Sequence, residues 1–405
     1  MANKIDTDVK KIDDILSRSV EDIIVKEHLR EQLLSGKKLR IKFGIDPTGP
    51  SIHLGRAVPL WKLRAFQDLG HQVVIIVGDF TTMIGDPSDK LEKRPMLDRK
   101  TIEYNMKNYK KIIGKIIDIK KAEFTYNSSW LKKLNFLEIS QLAETFSVQQ
   151  MSSRRNFKDR IDAGTDISLR EFLYPLMQGY DSVAVKSDVE IGGFDQLFNV
   201  KAGRTIQKHY GQPEQDILTT AMLEGTDGRK MSTSWGNVIL ITDEANDMFG
   251  KIMSIKDELI AKYLLLTTNT PLGEIAKIEA DIAGGANPRD AKVLLGKKVV
   301  AMYHGEKEAE AAYEAFVNTF QKKEIPDDIE EVKSEDGEKL GDLLVRAKVV
   351  ESKSEFRRLV EQRGVHKLTG VGCNEKGEGE KVEDQFAAAE SGTYKIGKRR
   401  FIKII

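Results

Sequence analysis

The run Gln72–Gly78 (QVVIIVG) constrains the fold of this chain more than any other segment. Val73 to Val77 form an unbroken aliphatic series. A strand with one wet face would alternate polar and apolar residues, so this run predicts a strand covered on both faces, as in a parallel sheet between helical layers. Upstream, Arg40–Ile45 (RIKFGI) reads as a second strand, followed by the loop DPTGPSIH and an amphipathic stretch, Leu54–Leu69. Downstream, Ser182–Lys186 reads as a further strand, and Asp195–Tyr210 as a helix after a Gly-Gly turn. Strand–helix alternation up to about residue 240 predicts a doubly wound, Rossmann-like α/β domain.

The chain has 405 residues, more than one hydrophobic core usually organises, so two or three domains are expected. Helical patterns dominate from Glu244 to Lys323, including Pro288–Tyr303 and Glu306–Gln321. Glu324–Glu338 is acidic and polar with one Pro, the composition of a linker. Two short helical patterns follow, Leu340–Ala347 and Lys353–Gln362, then short β-rich pieces ending in Tyr394–Ile405. The expected division is a catalytic α/β domain over 1–240, an α-helical domain over 241–323, a linker over 324–338 and a small α+β domain over 339–405.

Several function classes are excluded early. No apolar run reaches the ~18 residues of a membrane span, and the N-terminus lacks the apolar core of a signal peptide. A lone cysteine, Cys373, cannot form an internal disulfide, and six scattered histidines without a Cys cluster argue against a structural metal. A cytoplasmic protein is expected. The charge totals nearly cancel, 64 basic against 63 acidic residues, so no global attraction to nucleic acid is expected. From Lys339 to Ile405, however, 15 Lys and Arg face 10 Asp and Glu. That local excess suits contact with phosphates, and equally suits an ordinary solvated surface.

Two segments carry chemistry. Gly44–Arg56 (GIDPTGPSIHLGR) leaves a strand, turns through Pro47, Gly49 and Pro50, and enters a helix with His53-Leu54-Gly55 at its mouth. Free N–H groups at a helix start favour phosphate, Gly55 lets a flat group approach the backbone, and Thr48 and His53 can donate to phosphate oxygens. Alone, HLG reads better as a plain strand–loop–helix connection in which Pro and Gly only shape the turn. Asp227–Trp235 (DGRKMSTSW) sets Lys230 among hydroxyls on a polar loop, where it can swing onto a polyphosphate. Alone, a Lys-Met-Ser stretch is far more often an exposed loop than a catalytic one. Both in this order across an α/β domain are far more specific.

Together, DPT…HLG and KMSTS resemble the HIGH and KMSKS pair of the class I aminoacyl-tRNA synthetases. The stretches IGDPSDK (84–90), YPLMQGYD (174–181) and IGGFDQ (191–196) narrow the resemblance to the bacterial tyrosyl-tRNA synthetases. It covers nearly the whole chain, since SKSEFRRLVEQRGV (352–365) is similar to an S4 RNA-binding domain. The resemblance implies an enzyme that joins L-tyrosine to ATP, entering with Mg2+, and transfers the tyrosyl group to tRNA(Tyr). It also implies a homodimer. Neither step needs a protein nucleophile; both need positioning and positive charge around phosphate.

By resemblance, Thr48 and His53 donate to the ATP phosphates, and Lys90, Arg94 and Lys230 are mobile cations. Asp46, Gly55, Arg56, Gly193, Asp195, Met231 and Ser232 fall at nucleotide positions, Asp195 at the ribose. Asp86, Tyr174 and Gln178 match acceptors for the substrate α-amino group, Asp181 the acceptor of its phenolic hydrogen, and Asn127 and Gln196 positions beside them. Tyr174, Gln178 and Asp181 are spaced four and three apart, which a helix gathers on one side. On the RNA side, Lys348, Arg357, Arg358 and Arg363 match a phosphate-contacting face, while the Gly-rich 369–380 reads as an insertion.

Three positions depart from the family pattern. Arg56 replaces the second His of HIGH and retains positive charge. Thr233 replaces the second Lys of KMSKS and removes a cation. Lys42 stands where a Tyr is frequent, leaving Asp181 as the main carrier of tyrosine specificity. Three rival readings follow: a tryptophanyl-tRNA synthetase, a nonenzymatic RNA-binding relative, and a small nucleotidyltransferase of the same superfamily.

Overall fold

The computed structural model describes residues 5–87, 97–320, 329–335, 337–368, 380–397 and 400–405. They fall into two compact units, Met1–Gly305 and Glu306–Ile405.

The first unit is built on a six-stranded sheet: β1 (Val20–Ile24), β2 (Arg40–Ile45), β3 (Gln72–Val77), β4 (Glu123–Tyr126), β5 (Val189–Gly193) and β6 (Asp216–Thr220), ordered β1-β6-β5-β2-β3-β4. Five strands are parallel, and β1 closes the β6 edge antiparallel. Val73, Val74 and Ile75 on β3 are wholly buried, as the unbroken aliphatic run requires. From β2 the chain proceeds outward to β3 and β4 on one side, while β5 and β6 extend the other. The order reverses between β2 and β5, and in open α/β sheets a crevice for ligands opens at such a point, beyond the carboxyl ends of the strands.

Three helices shape that crevice: α1 (Leu54–Asp68) after β2, α2 (Leu169–Val185) before β5, and α3 (Leu197–His209) after it. Helix α1 buries Leu54, Ala57, Leu60, Leu63 and Phe66, an apolar face at helical spacing. Helices α2 and α3 approach closely at Gly179, where a Cβ would lie 2.5 Å from Ile206 and 3.0 Å from the Ala202 backbone.

The strand expected at Ser182–Lys186 is instead the last turn of α2. Its Ser-Val-Ala-Val pattern is strand-like locally, but Val183 and Val185 are buried as helical residues, and Lys186, at φ +52°, ends the helix. Tertiary packing overrides β-propensity here. The helix expected from Asp195 begins with a tight turn at Phe194–Gln196 before α3.

Helices Ala245–Met253, Ile260–Thr267, Leu272–Ala283 and Pro288–His304 complete the first unit. They are tied to the sheet layer: Trp61 Nε1 on α1 donates to Tyr303 Oη at 2.9 Å, and Arg18 donates to the Thr270 carbonyl at 2.7 Å. The helical region up to Gly305 thus shares one compact unit with the sheet.

The second unit opens with helix Glu306–Phe320 and contains β7 (Glu331–Val332), β8 (Val365–Leu368), β9 (Glu380–Lys381), β10 (Gly392–Ile396) and β11 (Arg400–Ile404), ordered β7-β11-β10-β8-β9. Helices Leu340–Arg346 and α4 (Lys353–Glu361) pack on this sheet through Leu340, Leu344, Phe356, Val360, Tyr394 and Ile402. Strand β7 falls inside 324–338, the segment expected as a linker, so part of that segment is woven into the sheet. Residues 369–379 of the Gly-rich insertion lie outside the described residues. Among the described residues, no helix is long and apolar enough to cross a membrane.

Candidate active site at the sheet switch point

One side of the crevice is built from the turn after β2 and the loop 227–237. His53 caps α1, its Nδ1 accepting the Arg56 N–H at 3.3 Å. Burial, reinforced by the Arg56 and Lys230 cations, pushes its pKa down to about 3. The ring is therefore neutral; with Nδ1 accepting, the proton sits on Nε2, which becomes a donor. Thr48 Oγ1 accepts from the Arg56 guanidinium at 3.0 Å, so the residue replacing the second His braces the DPT turn.

The loop 227–237 reaches the same place. Met231 is buried, with its sulfur 3.4 Å from the Gly55 N–H. Lys230 Nζ lies 3.1 Å from Asp195 Oδ2, just beyond β5. Asn237 braces the loop from within: its amide donates to Asp227 Oδ1 at 2.8 Å and to the Lys230 carbonyl at 3.1 Å, and it accepts the Ser232 N–H at 2.8 Å. Arg229 pairs with Asp227 at 2.6 Å and lies 4.8 Å above the Trp235 ring.

The other side is buried and interlocked. Asp46 accepts from Tyr174 Oη and from Thr81 Oγ1, each at 2.8 Å, and Thr81 accepts from Asn127 Nδ2 at 3.0 Å. A Cβ at Gly78 would fall 2.0 Å from Asp46 Oδ1, so this arrangement requires glycine there. Asp181, 3% exposed, accepts from Trp130 Nε1 at 2.7 Å and from Asn127 Nδ2 at 3.3 Å. Burial raises its pKa to about 7, against the lowering pull of Lys42, Trp130 and Asn127. Burial likewise raises Tyr174 well above its ordinary value.

Asp86 accepts from Gln196 Nε2 at 2.7 Å and from Asn199 Nδ2 at 3.4 Å. Asn199 in turn accepts from Arg154 at 3.1 Å, and the Arg154 guanidinium lies over Phe157 and Phe198, 5.0 and 4.5 Å from the ring centroids. Beneath Gln178, Lys42 and Glu190 form a buried ion pair at 2.9 Å, from adjacent positions on β2 and β5.

The fold thus gathers Thr48, His53, Gly55, Arg56, Asp195, Lys230, Met231 and Ser232 on the loop side of the crevice, while Asp46 turns its carboxylate to the buried side, toward Tyr174 and Thr81. Asp86, Asn127, Tyr174, Gln178, Asp181 and Gln196 gather on its buried side. Gly193 stands where the turn tightens, since a Cβ there would meet Asp195 Oδ1 at 2.7 Å. Lys90 and Arg94 lie outside the described residues. In the second unit, Arg357 and Arg358 project from α4 away from its buried Phe356 and Val360, and Lys348 and Arg363 are also exposed.

Sequence reasoning missed Thr81, Trp130, Arg154, Glu190, Asn199 and Asn237. Only Trp130 had a local signal, three residues after Asn127 at the start of a helical turn. The others are single residues brought in by the fold. Nearby, a cavity of about 330 Å3 is lined by Asp79, Met83, Ile102, Tyr126 and Ser128; no predicted site residue lines it.

Residues 34–321 match the family described as class I tRNA synthetases (W and Y). The chain is 45% identical over 395 residues to the tyrosine–tRNA ligase of Thermotoga maritima, covering 96% of each. It is also 45% identical to the tyrosine–tRNA ligase of Shewanella oneidensis, over 96% of this chain and 97% of that relative. Among solved structures, it is similar in fold to a C-terminally truncated mitochondrial tyrosyl-tRNA synthetase from Aspergillus nidulans, with TM-score 0.63 and 24% identity over 76% of this chain and 94% of that one. A tyrosyl-tRNA synthetase from Archaeoglobus fulgidus, complexed with L-tyrosine, aligns with TM-score 0.60 and 20% identity over 75% of this chain and 99% of the other. On near full-length identity, and on a motif pair that meets at the sheet switch point, the chain belongs to the class I tRNA synthetases of the tyrosine–tRNA ligase family.

Proposed function

We propose that this chain activates L-tyrosine with ATP in the switch-point crevice and then charges tRNA(Tyr). In the first step a carboxylate oxygen of tyrosine attacks the α-phosphate of ATP. The α–β anhydride bond breaks, pyrophosphate leaves, and tyrosyl-adenylate remains. In the second, the terminal ribose hydroxyl of the tRNA attacks the carbonyl carbon and AMP leaves.

One observation carries the reading. The Lys230–Met231 loop lies against both the HLG turn and Asp195. His53 Nε2 and Thr48 are the donors to phosphate, and Lys230 is the cation that leaves Asp195 for the departing pyrophosphate. Lys90 and Arg94 join it, and Mg2+ arrives with ATP as part of the substrate. Asp195 takes the ribose once Lys230 moves. Asp181 accepts the phenolic hydrogen, while Asp86, Tyr174 and Gln178 surround the α-amino group.

The exposed Lys348, Arg357, Arg358 and Arg363 are the proposed RNA-contacting side chains, with the helices after residue 240 as a second tRNA-binding region. A homodimer in the cytoplasm is part of the same reading. Phe136, Leu137, Val148 and Leu169, all strongly exposed on helices between β4 and α2 or at the start of α2, support the dimer.

Pyrophosphate exchange into ATP with each of the twenty amino acids tests the reading. Exchange with tyrosine alone is expected; exchange with tryptophan, or none, overturns it. Deleting 339–405 should abolish or badly weaken tRNA charging and leave adenylate formation nearly intact. Equal loss of both steps would make that region structural.

A further inference from the structure

The Lys42–Glu190 pair is the most deeply buried charge cluster beside the crevice, and no step of the proposed reaction uses it. Lys42 is wholly inaccessible and Glu190 1% exposed. The three acceptors around Lys42 Nζ match the three donors of an ammonium: Glu190 Oε1 at 2.9 Å, the Gln178 carbonyl at 2.8 Å and Ser182 Oγ at 2.7 Å. Gln178 and Ser182 are one turn apart on α2, so Lys42 clamps that helix to the centre of the sheet.

Glu190 is equally saturated. Beyond Lys42, its carboxylate accepts from Gln178 Nε2 at 3.1 Å, from Ser182 Oγ at 3.1 Å and from Gln215 Nε2 at 2.5 Å. That accounts for the roughly four lone-pair sites of a carboxylate. The packing is arranged for it: a Cβ at Gly203 would meet Gln215 at 2.4 Å and Glu190 at 3.1 Å. Replacing such a buried pair by apolar residues is often neutral or stabilising, so stability alone does not account for it.

A carboxylate only accepts, and this decides how Gln178 stands. A side-chain amide has a donor end and an acceptor end of nearly the same shape, and Glu190 can bind only the donor end. Gln178 Oε1 is thereby turned away from Glu190, and among the described residues it takes no hydrogen bond. An α-ammonium group, which only donates, needs that oxygen; a flipped amide would offer it N–H groups instead.

We propose that Glu190, charge-balanced by Lys42, is a positioning residue that fixes the Gln178 amide with its nitrogen inward and its oxygen toward the α-ammonium of the substrate. This rests on the proposed binding of tyrosine. Neither Lys42 nor Glu190 touches the substrate; they set which end of Gln178 does.

The test is Glu190→Gln, which keeps the shape but lets residue 190 donate to Gln178 Oε1. A second variant, Lys42→Met with Glu190→Gln, leaves no unpaired buried charge if the single variant folds poorly. Binding of L-tyrosine, tyramine and 3-(4-hydroxyphenyl)propanoate is measured by calorimetry on each folded protein. Tyrosine and tyramine, which carry the ammonium, should weaken by about 10-fold or more. The propanoate, which lacks it, should change by less than about 2-fold. Equal weakening of all three ligands, or of none, overturns the assignment. A wild-type protein that binds none of them fails at an earlier point, the proposed substrate, and takes this assignment with it.

Discussion

The two sides of the crevice are built on opposite plans. On the proposed amino-acid side the charged groups are shut away: Lys42 is 0% exposed and Glu190 1%, with every lone pair of the carboxylate engaged. On the proposed nucleotide side the Lys230–Asp195 pair is open, with Lys230 36% and Asp195 28% exposed, and Lys230 is carried by a loop. The physical demands differ in the same way. Recognising a phenol and an ammonium calls for fixed, desolvated partners, so that a wrong ligand leaves a buried group unpaired. Stabilising a departing pyrophosphate calls for charge that arrives with the transition state and is otherwise parked elsewhere.

The sharpest way to break this contrast is Asp181→Ala. If the buried side carries selection, tyrosine-dependent pyrophosphate exchange should fall about 1,000-fold in kcat/KM, the scale of removing a buried charged acceptor. The KM for ATP should stay within about 3-fold of wild type. Near wild-type exchange with tyrosine would remove Asp181 from the site.

Lys230→Ala should come next, lowering single-turnover adenylate formation about 100-fold with little change in ATP affinity, the pattern of an interaction made mainly in the transition state. Its partner Asp195 is open to water, so the melting temperature should barely move. An unchanged rate would mean that the 227–237 loop is only a surface feature.

Smaller, and confined to the buried side, is an effect of pH. With Asp181 titrating at about 7, its accepting form grows roughly 10-fold between pH 6 and 8, and kcat/KM for tyrosine should rise accordingly. The stability sign is opposite. Because burial raises the folded pKa above the unfolded value, the ligand-free protein is favoured below about pH 4 and loses that contribution as pH rises through 7. His53, held neutral, adds no inflection in this range. An Asp181→Asn variant that keeps the same pH dependence would assign the titration elsewhere.

The smallest expected change is on the open side. Thr233→Lys restores a second cation to the loop and should raise the activation rate about 2- to 5-fold, or at least not lower it. A clear loss, measured in single turnover, would show that the loop does not bring charge to pyrophosphate.

How much of this was legible in sequence follows the same division. The loop side is written in contiguous runs, DPTGPSIHLG and KMSTS, whose turn and helix-start chemistry is local. The fold confirms that they meet, through Met231 against Gly55 and Lys230 against Asp195. The buried side was only partly legible. Tyr174, Gln178 and Asp181 share one helix, as their spacing predicts, but Trp130, Arg154 and Glu190 are isolated letters. From sequence alone, Lys42 signals only the loss of a phenol contact. In the fold it is the positive half of a saturated ion pair, because parallel register sets it beside Glu190, 148 positions later in the chain.

The sequence by itself determined the parallel sheet, through the aliphatic run of β3, and the helices that follow the β2 and β5 turns, because hydrophobic period and capping are local properties of the chain. Only the tertiary structure decided that Ser182–Val185 ends a helix rather than forming a strand, that Arg56 braces Thr48, and that Glu190 dictates which end of Gln178 faces the crevice. Each of these depends on contacts outside the local run of residues, apolar packing for Val183 and Val185 and hydrogen-bond partners for Arg56 and Glu190, and those contacts exist only once the sheet has closed.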